Sequence, residues 1–170
     1  APAKMTLDTL ISWTAHPEPG VKYFSGTATY LKTFTWDTKK QKGERYILDF
    51  GDLKNFAETE LNGKELSLLW KPPYRLDVTD VLKKGKNSLR VKVTNLWPNR
   101  LIGDEQLPED REWDGKHLKA WPQWLLDGKP SPTGRFTFTT WHHWHQEDDP
   151  LPSGLFGPVV VRTVKNVTVE

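Results

Sequence analysis

The sequence predicts an all-β fold, a two-sheet antiparallel β-sandwich, and three observations support this prediction. Short stretches alternate between apolar and polar residues, for example residues 26–36 and 87–95, and a period of two is typical of strands with one buried face. Helical periodicity is almost absent. The 13 Pro and 12 Gly residues supply the many turns that a β-rich fold requires.

Turn signals separate the predicted strands. Asn62-Gly63 lies between residues 56–61 and residues 65–70 and favours a type I′ hairpin, because both residues tolerate a positive φ. Residues 79–85 predict one helical turn that ends at a glycine. The other predicted strands are residues 45–50, 74–78, 135–141 and 157–169. Alternation predicts an inward-facing set of Tyr30, Phe34, Ile47, Leu61, Leu89, Val91, Val93, Phe136, Phe138 and Val160.

A segment with little periodicity, residues 96–134, interrupts the strands. It carries four of the nine tryptophans, Trp97, Trp113, Trp121 and Trp124. A structureless segment of this length in a compact domain is often functional. The sequence predicts a short helix around residues 118–126 within it.

Length, charge and cysteine content limit the class of protein. A chain of 170 residues predicts one domain, residues 1–170. The 24 basic and 22 acidic residues are interspersed, so we expect no basic face for nucleic acid. No apolar run approaches the ~20 residues that span a bilayer. There is no cysteine for disulfide or thiol chemistry. No self-complementary apolar stripe is visible, and we expect a monomer.

Two groups of motifs resemble domains of glycoside hydrolases. Residues 61–64 (LNGK), 73–79 (PYRLDVT) and 82–93 (LKKGKNSLRVKV) resemble the sugar-binding jelly-roll domain of family 2 glycoside hydrolases. The motifs that are similar to the C-terminal domain of family 106 α-L-rhamnosidases are residues 23–30 (YFSGTATY), 95–104 (NLWPNRLIGD), 134–141 (GRFTFTTW) and 151–159 (LPSGLFGPV). Together the motifs cover the chain from Trp13 to Val164 and imply a galactose-binding-like jelly roll.

The resemblance implies a non-catalytic accessory domain of a secreted bacterial glycoside hydrolase, periplasmic or extracellular, that acts on rhamnose-containing plant polysaccharide. The implied partners are that carbohydrate and the catalytic barrel of the same polypeptide, which the domain would support at the rim of the active site. The catalytic carboxylates of the family belong to the barrel, so no catalytic residue is carried over to this chain. The start, Ala1-Pro2-Ala3-Lys4, lacks an initiator Met and a signal h-region, and we interpret the chain as a fragment of a larger multidomain protein.

Two other interpretations remain open, an independent carbohydrate-binding module and a purely structural domain without a ligand. A self-contained glycosidase is disfavoured, because no pair of carboxyl groups lies in a recognisable catalytic setting. No Gly-x-Ser-x-Gly elbow, phosphate loop or His-Glu-x-x-His motif is present in the sequence.

Residues 97–104, predicted as a loop, carry the first candidate sugar contacts. Asn99, Arg100 and Asp104 offer directional hydrogen bonds for sugar hydroxyls, and Trp97 offers a face for stacking. The fixed fork of Arg100 also suits a uronate carboxylate. The alternative is structural, with Arg100 paired to Asp104 to fix the loop and Trp97 closing the edge of the core.

Three more aromatic or imidazole side chains complete the candidate carbohydrate contacts. Trp121 belongs to the tryptophan-rich segment, where the rings either pack a lid or stack on substrate or on the barrel. Trp141 and His143 belong to the tract Trp141-His142-His143-Trp144-His145, interpreted mainly as a strand end followed by a polar loop.

The sequence leaves the metal content of the protein unknown. His143 and His145 have strand spacing, but a transition-metal site needs three or four converging ligands. The sequence identifies no certain cofactor; resemblance to calcium-binding carbohydrate modules favours calcium over zinc, as a structural ion only, and the sequence names no ligands for it. The sequon Asn166-Val167-Thr168 is interpreted as part of the last strand.

Overall fold

A computed structural model describes residues 1–165. These residues are 35% strand and 11% helix, and all named sheets are antiparallel, which confirms the predicted all-β, galactose-binding-like sandwich. The chain divides into two compact units. Unit 1 comprises Ala1–Met5, Trp13–Ser25 and Leu96–Pro152, and unit 2 comprises Thr6–Ser12, Gly26–Asn95 and the described residues from Ser153 onward.

Eleven strands are present in the described residues. In chain order they are β1 (Thr27–Trp36), β2 (Glu44–Asp49), β3 (Asp52–Lys54), β4 (Phe56–Leu61), β5 (Lys64–Glu65), β6 (Arg75–Asp77), β7 (Gly85–Thr94), β8 (Trp113–Asp114), β9 (His117–Leu118), β10 (Gly154–Gly157) and β11 (Val160–Lys165). Unit 2 has a four-stranded sheet of order β1-β7-β4-β5, a three-stranded sheet of order β11-β2-β6, and the pair β10-β3. Unit 1 has the hairpin β8-β9. None of the described helices has the length and apolarity to cross a bilayer.

The hairpin predicted at Asn62-Gly63 is present and is fixed by a second asparagine. Asn62 and Gly63 have φ values of 55° and 83°, and the turn joins β4 to β5. The amide nitrogen of Asn62 donates to the Oδ1 of Asn87 over 2.8 Å, and the amide nitrogen of Asn87 donates to the carbonyls of Lys83 and Gly85. Asn87 is fully buried, so this network replaces water for its polar atoms.

Alternation predicts the faces of β7 correctly but not those of β2. Leu89, Val91 and Val93 are buried on β7, as expected. On β2, Tyr46 and Leu48 are buried while Ile47 is only half-buried, so the predicted inward position of Ile47 is wrong by one residue. Tyr46, Ile47 and Leu48 are all apolar, so the sequence does not show which of them face the core. Tyr30, Phe34 and Val160 are half-buried, and Leu61 is buried.

The strand predicted for residues 135–141 is absent. The segment is extended, but its only ladder contact is an isolated bridge between Trp141 and His117. The backbone N–H groups of Phe136 and Thr137 donate to a carboxylate instead of to a neighbouring strand. Phe136 is 82% exposed, so its predicted place in the core is also wrong, whereas Phe138 is half-buried.

Three other boundaries differ from the prediction. The strand expected over residues 65–70 ends at Glu65, although Leu66 still donates to the carbonyl of Thr59 and Leu69 forms a bridge to Ala57. The last predicted strand, residues 157–169, begins only at Val160, as β11, and its first residue, Gly157, is the end of β10, which starts at Gly154. Its remaining residues and the sequon 166–168 lie outside the described residues. Strand β3 has too few residues to show alternation, and the sequence did not predict it.

Asp49, on β2, is a buried carboxylate that binds one arginine on each of the two neighbouring strands, β6 and β11. Its Oδ1 accepts from the N–H of Gly51 at 3.0 Å, and its Oδ2 accepts from the Nε atoms of Arg75 and Arg162, each at 2.9 Å. The hydrogen bond from Gly51 has the largest effect on the pKa of Asp49. Together with the two guanidinium groups, it holds that pKa below its usual value, although burial raises it. A lowered pKa in the folded state contributes stability that is present above the unfolded pKa and is lost as pH falls through the folded pKa.

We therefore expect Asp49→Asn to reduce the free energy of unfolding at neutral pH and to reduce its acid dependence. The wild-type and variant stabilities should converge below the unfolded Asp pKa of about 3.9. Urea unfolding of both proteins across an acid pH series measures this difference. Asp37→Asn, at an exposed position, serves as the control. A difference between Asp49→Asn and wild type that does not change with pH would contradict the assignment.

Candidate functional site

Unit 1 contains most of the chain segments that the sequence marked as functional. A 3-10 turn at Trp13–Ala15 precedes the helices α1 (Pro19–Lys22), α2 (Pro98–Asp104) and α3 (Gln123–Leu126). Residues 97–104, expected to be a loop, therefore form a helix. Pro98 occupies its first turn, where the fixed φ of proline is favourable and its missing N–H leaves no bond unmade. The short helix expected around residues 118–126 is limited to the single turn of α3.

Helix α2 is fixed within unit 1 by a close approach and by a buried amide. A Cβ atom at Gly103 would lie 2.5 Å from the Cβ of Tyr23, so only glycine permits this packing. The side chain of Asn99 donates to the carbonyl of Leu151 at 2.8 Å and accepts from the N–H of Leu151 at 2.7 Å. Asn99 is 1% exposed, and its side chain holds a loop rather than facing solvent.

Asp104 ties helix α2 to the extended segment that follows Arg135. Its Oδ2 accepts from the N–H of Phe136 at 3.0 Å, the N–H of Thr137 at 2.7 Å and the hydroxyl of Thr137 at 2.7 Å. The Nη2 of Arg100 lies 2.9 Å from its Oδ1, and the guanidinium lies over the ring of Phe136 at 5.2 Å. The structural pairing of Arg100 with Asp104 is therefore present. Trp97 is 68% exposed and closes no core edge.

Two further arginines form buried ion pairs in unit 1. Arg135 donates from Nη1 to Glu105 at 2.8 Å and from Nε and Nη2 to the carbonyls of Pro108 and Leu107. Arg111 donates to Asp110 at 2.9 Å and to the carbonyl of Thr139 at 3.1 Å. The side chains of both arginines are buried, each with only 2% of its surface exposed. Because the buried apolar side chains of unit 1 are few, namely Trp13, Val21 and Ile102, these ion pairs supply much of its interior.

A cleft of about 410 Å³ opens on unit 1. Leu101, Glu105 and Arg111 line one part of it, and residues 137–144 form a continuous wall. The volume lies within the range of ordinary small-ligand sites. Two of the predicted contact residues, Trp141 and His143, are in this wall.

The candidate residues do not all meet in one place. Trp141 is 47% exposed and packs edge-on against His117, and His143 is exposed beside Trp144. The other five candidates, Trp97, Asn99, Arg100, Asp104 and Trp121, do not line the cleft.

Sequence reasoning missed Glu105, Arg111 and His142 as parts of the cleft. Arg111 lies in the run Glu109-Asp110-Arg111-Glu112, which has the composition of a solvated loop, and nothing in that run signals burial. His142 belongs to the aromatic and imidazole tract that includes Trp141 and His143, and this neighbourhood is the signal that could have found it.

A column of stacked planar groups runs through unit 1. Trp121 stacks on Phe138 with a centroid distance of 5.7 Å and an interplanar angle of 24°. The guanidinium of Arg111 lies 4.8 Å from the Phe138 ring and 5.4 Å from the Trp113 ring. Trp113 in turn stacks on His142 at 4.7 Å and 8°. The column therefore connects the exposed indole of Trp121 with a side chain that lines the cleft.

One group of side chains in the described residues has the spacing of a metal site, but its chemistry does not fit calcium. The potential ligand atoms of Glu105, Glu109 and His142 lie within 4.8 Å of one another. Calcium takes oxygen ligands, and one of these three is an imidazole. Glu105 and Glu109 also lie 2.8 Å and 3.6 Å from the Nη1 of Arg135, whose positive charge repels a cation. The imidazole of His142 and the carboxylate of Glu105 lie 3.2 Å apart and bind each other.

Comparisons with known proteins relate the chain to domains of glycoside hydrolases. Residues 18–130 match the family model "Glycosyl hydrolase 2 galactose-binding domain-like". A protein of Formosa agariphila with the name "Putative beta-glucuronidase" is 52% identical over 168 residues, which is 98% of this chain and 14% of that protein. The structure of a rhamnosidase from Novosphingobium sp. PP1Y superposes with a TM-score of 0.71 at 32% identity, covering 96% of this chain and 13% of the rhamnosidase. The chain thus spans about one seventh of the length of each of these proteins.

Proposed function

Because the chain belongs to the glycosyl hydrolase 2 galactose-binding domain-like family, we propose that it is a non-catalytic accessory domain of a multidomain glycoside hydrolase and contacts carbohydrate through the unit 1 cleft. Family membership confirms the resemblance found in the sequence motifs. The accessory role is supported by the two relatives, since in each of them a domain like this one is about one seventh of a much longer chain.

The observation that carries the proposal is the wall of the cleft. Trp141 and His143 are both exposed there and lie two residues apart, so the wall offers an apolar face and a hydrogen-bonding ring to one ligand. Sugars need this combination, because their rings have apolar C–H faces and hydroxyl edges. Glu105 provides a carboxylate acceptor in the same cleft.

For the substrate we propose rhamnose-containing plant polysaccharide, bound at a periplasmic or extracellular location. The similarity to a rhamnosidase over 96% of the chain supports rhamnose, and the name of the Formosa agariphila relative adds glucuronate as the sugar to compare. A polysaccharide carries many hydroxyl groups whose removal from water is costly, so it does not cross a membrane unaided, which favours an exported parent enzyme.

We expect Trp141→Ala to weaken binding of plant oligosaccharides by about tenfold, which corresponds to the ~1.4 kcal/mol of one lost aromatic contact. Titration of the chain by calorimetry with oligosaccharides that contain rhamnose or glucuronate measures the effect. Trp70→Ala is the matched control, because Trp70 is 63% exposed but belongs to unit 2. Equal losses in both variants, or no binding by the wild-type chain, would contradict a sugar site in the cleft.

The exposed apolar surface of unit 1 favours a second role, contact with the catalytic barrel of the parent protein. Phe136 is 82% exposed, and the guanidinium of Arg100 lies over its ring. An exposed aromatic next to an arginine has the composition of a protein interface. If the oligosaccharide titration gives no binding, this role or a purely structural one becomes the better explanation of the fold.

A further inference from the structure

We infer that Trp121 is a second carbohydrate contact, a fixed platform on which the apolar face of a single neutral pyranose stacks. The inference rests on the proposed function, since it assumes that unit 1 meets carbohydrate. It adds a site outside the cleft, because Trp121 does not line that cleft.

The two faces of the Trp121 indole have different environments. One face stacks on Phe138 at 5.7 Å and 24°, and Trp121 is nevertheless 58% exposed. Since Phe138 stacks against one face, we assign the exposed area mainly to the edges and the opposite face. A flat apolar surface is therefore open to solvent on one side and supported on the other.

The groups behind Trp121 are held in place. Trp124 packs edge-on against Phe138 at 5.9 Å and 79°, and its Nε1 donates to the carbonyl of Asp110 at 3.0 Å. The guanidinium of Arg111 also lies over Phe138, and it is held there by hydrogen bonds to Asp110 and to the carbonyl of Thr139. A ring held in this way loses little conformational freedom when a ligand binds, which leaves more of the stacking energy for affinity.

Other exposed tryptophans in the described residues lack such support. Trp141 has an edge-on contact with His117, and Trp70 has only the ammonium of Lys71, 5.0 Å from its ring centroid. Trp97 is 68% exposed and makes no ring contact with a described aromatic residue. Face-to-face support thus distinguishes Trp121 from indoles that are merely exposed.

The charges near Trp121 indicate a neutral ligand. Lys119, two residues before Trp121, binds Glu112 at 2.8 Å, and Lys129 binds Asp127 at 2.9 Å. These two exposed cations are paired with carboxylates, which weakens their attraction for a uronate or a sulfate ester. The C–H face of a pyranose matches an indole without any ionic partner, so binding at Trp121 should depend little on salt.

The test is a titration of the ¹⁵N-labelled chain with methyl α-L-rhamnoside, methyl β-D-galactoside and methyl β-D-glucuronide. The indole N–H signal of Trp121 is identified by its loss in Trp121→Ala. We expect a neutral glycoside to shift this signal, Trp121→Ala to weaken the affinity by about tenfold, and Trp121→Phe to retain part of it. Affinity should persist in about 0.5 M NaCl, where charges are screened over a few Å. Trp70→Ala, at an exposed tryptophan of unit 2, is the control and should bind as the wild type does.

The outcomes separate this inference from the proposed function. If Trp141→Ala abolishes binding while both Trp121 variants bind like the wild type, the platform is overturned and the cleft stands. If Trp70→Ala weakens binding as much as Trp121→Ala, exposure alone explains the effect and the platform is overturned. If no glycoside shifts any indole signal, both ideas fail. Trp121→Phe keeps an aromatic ring on Phe138, so it provides the comparison if Trp121→Ala does not fold.

Discussion

Replacing Arg135 with Met is expected to destabilise unit 1 by about 3–5 kcal/mol, because removal of one partner from a buried ion pair leaves an uncompensated charge. The guanidinium binds Glu105 and the carbonyls of Leu107 and Pro108, and its side chain is 2% exposed. Met has a similar length but offers no donor to any of these three acceptors. Hydrogen exchange, which reports on the two units separately, measures the loss.

Arg45→Met is the matched control for this experiment. Arg45 also binds a carboxylate, that of Asp77, but its side chain is 61% exposed. Exposed ion pairs contribute little to stability, so we expect Arg45→Met to lower the free energy of unfolding by less than about 1 kcal/mol. If amides of unit 1 keep their wild-type protection in Arg135→Met, the ion pair is not what holds this unit together.

The strands of unit 2 show how far local pattern predicts this fold. Strand β7 was predicted almost to its ends, because polar and apolar residues alternate strictly along it. The turn at Asn62-Gly63 was predicted because its chemistry is local. Burial of Ile47 was predicted wrongly, since its neighbours Tyr46 and Leu48 are also apolar and only the packing of the sheet selects between the two faces.

Residues 135–141 mark the limit of sequence reasoning in unit 1. Their pattern is that of a strand, yet a carboxylate 32 residues away in sequence takes the N–H of Phe136. No local signal reveals a partner at that distance. The helix α2 was missed for the related reason that its buried polar residues, Asn99 and Asp104, resemble loop residues until their partners are known.

The candidate site was predicted in part: its aromatic and imidazole residues were found from the sequence, and its charged residues were missed. Trp141 and His143 line the cleft, as an aromatic and imidazole tract near a strand end suggests. The cleft residues Glu105 and Arg111 were missed, because their burial depends on partners far away in sequence, Arg135 for Glu105 and the carbonyl of Thr139 for Arg111. Composition and spacing carry no record of such pairs.

Replacing Asp104 with Asn is expected to destabilise unit 1 by about 3 kcal/mol, the loss of one or two buried hydrogen bonds to a charged acceptor. The carboxylate accepts three bonds on Oδ2 from Phe136 and Thr137 and faces the Arg100 guanidinium through Oδ1. An amide of the same size has one acceptor oxygen and one NH₂ group, so in either orientation donors oppose donors. Because Thr137 begins the wall of the cleft, the same change should weaken carbohydrate binding there.

Hydrogen exchange at the Phe136 and Thr137 amides tests the mechanism directly. Both N–H groups should exchange faster in Asp104→Asn, while amides of β7 keep their protection. Asp114→Asn, at an exposed position of β8 in the same unit, should change stability by less than about 0.5 kcal/mol. Unchanged protection at residues 136 and 137 would mean that Asp104 does not fix the wall. In that case the contact of Asp104 with the Arg100 guanidinium, 2.9 Å away, would be its main role.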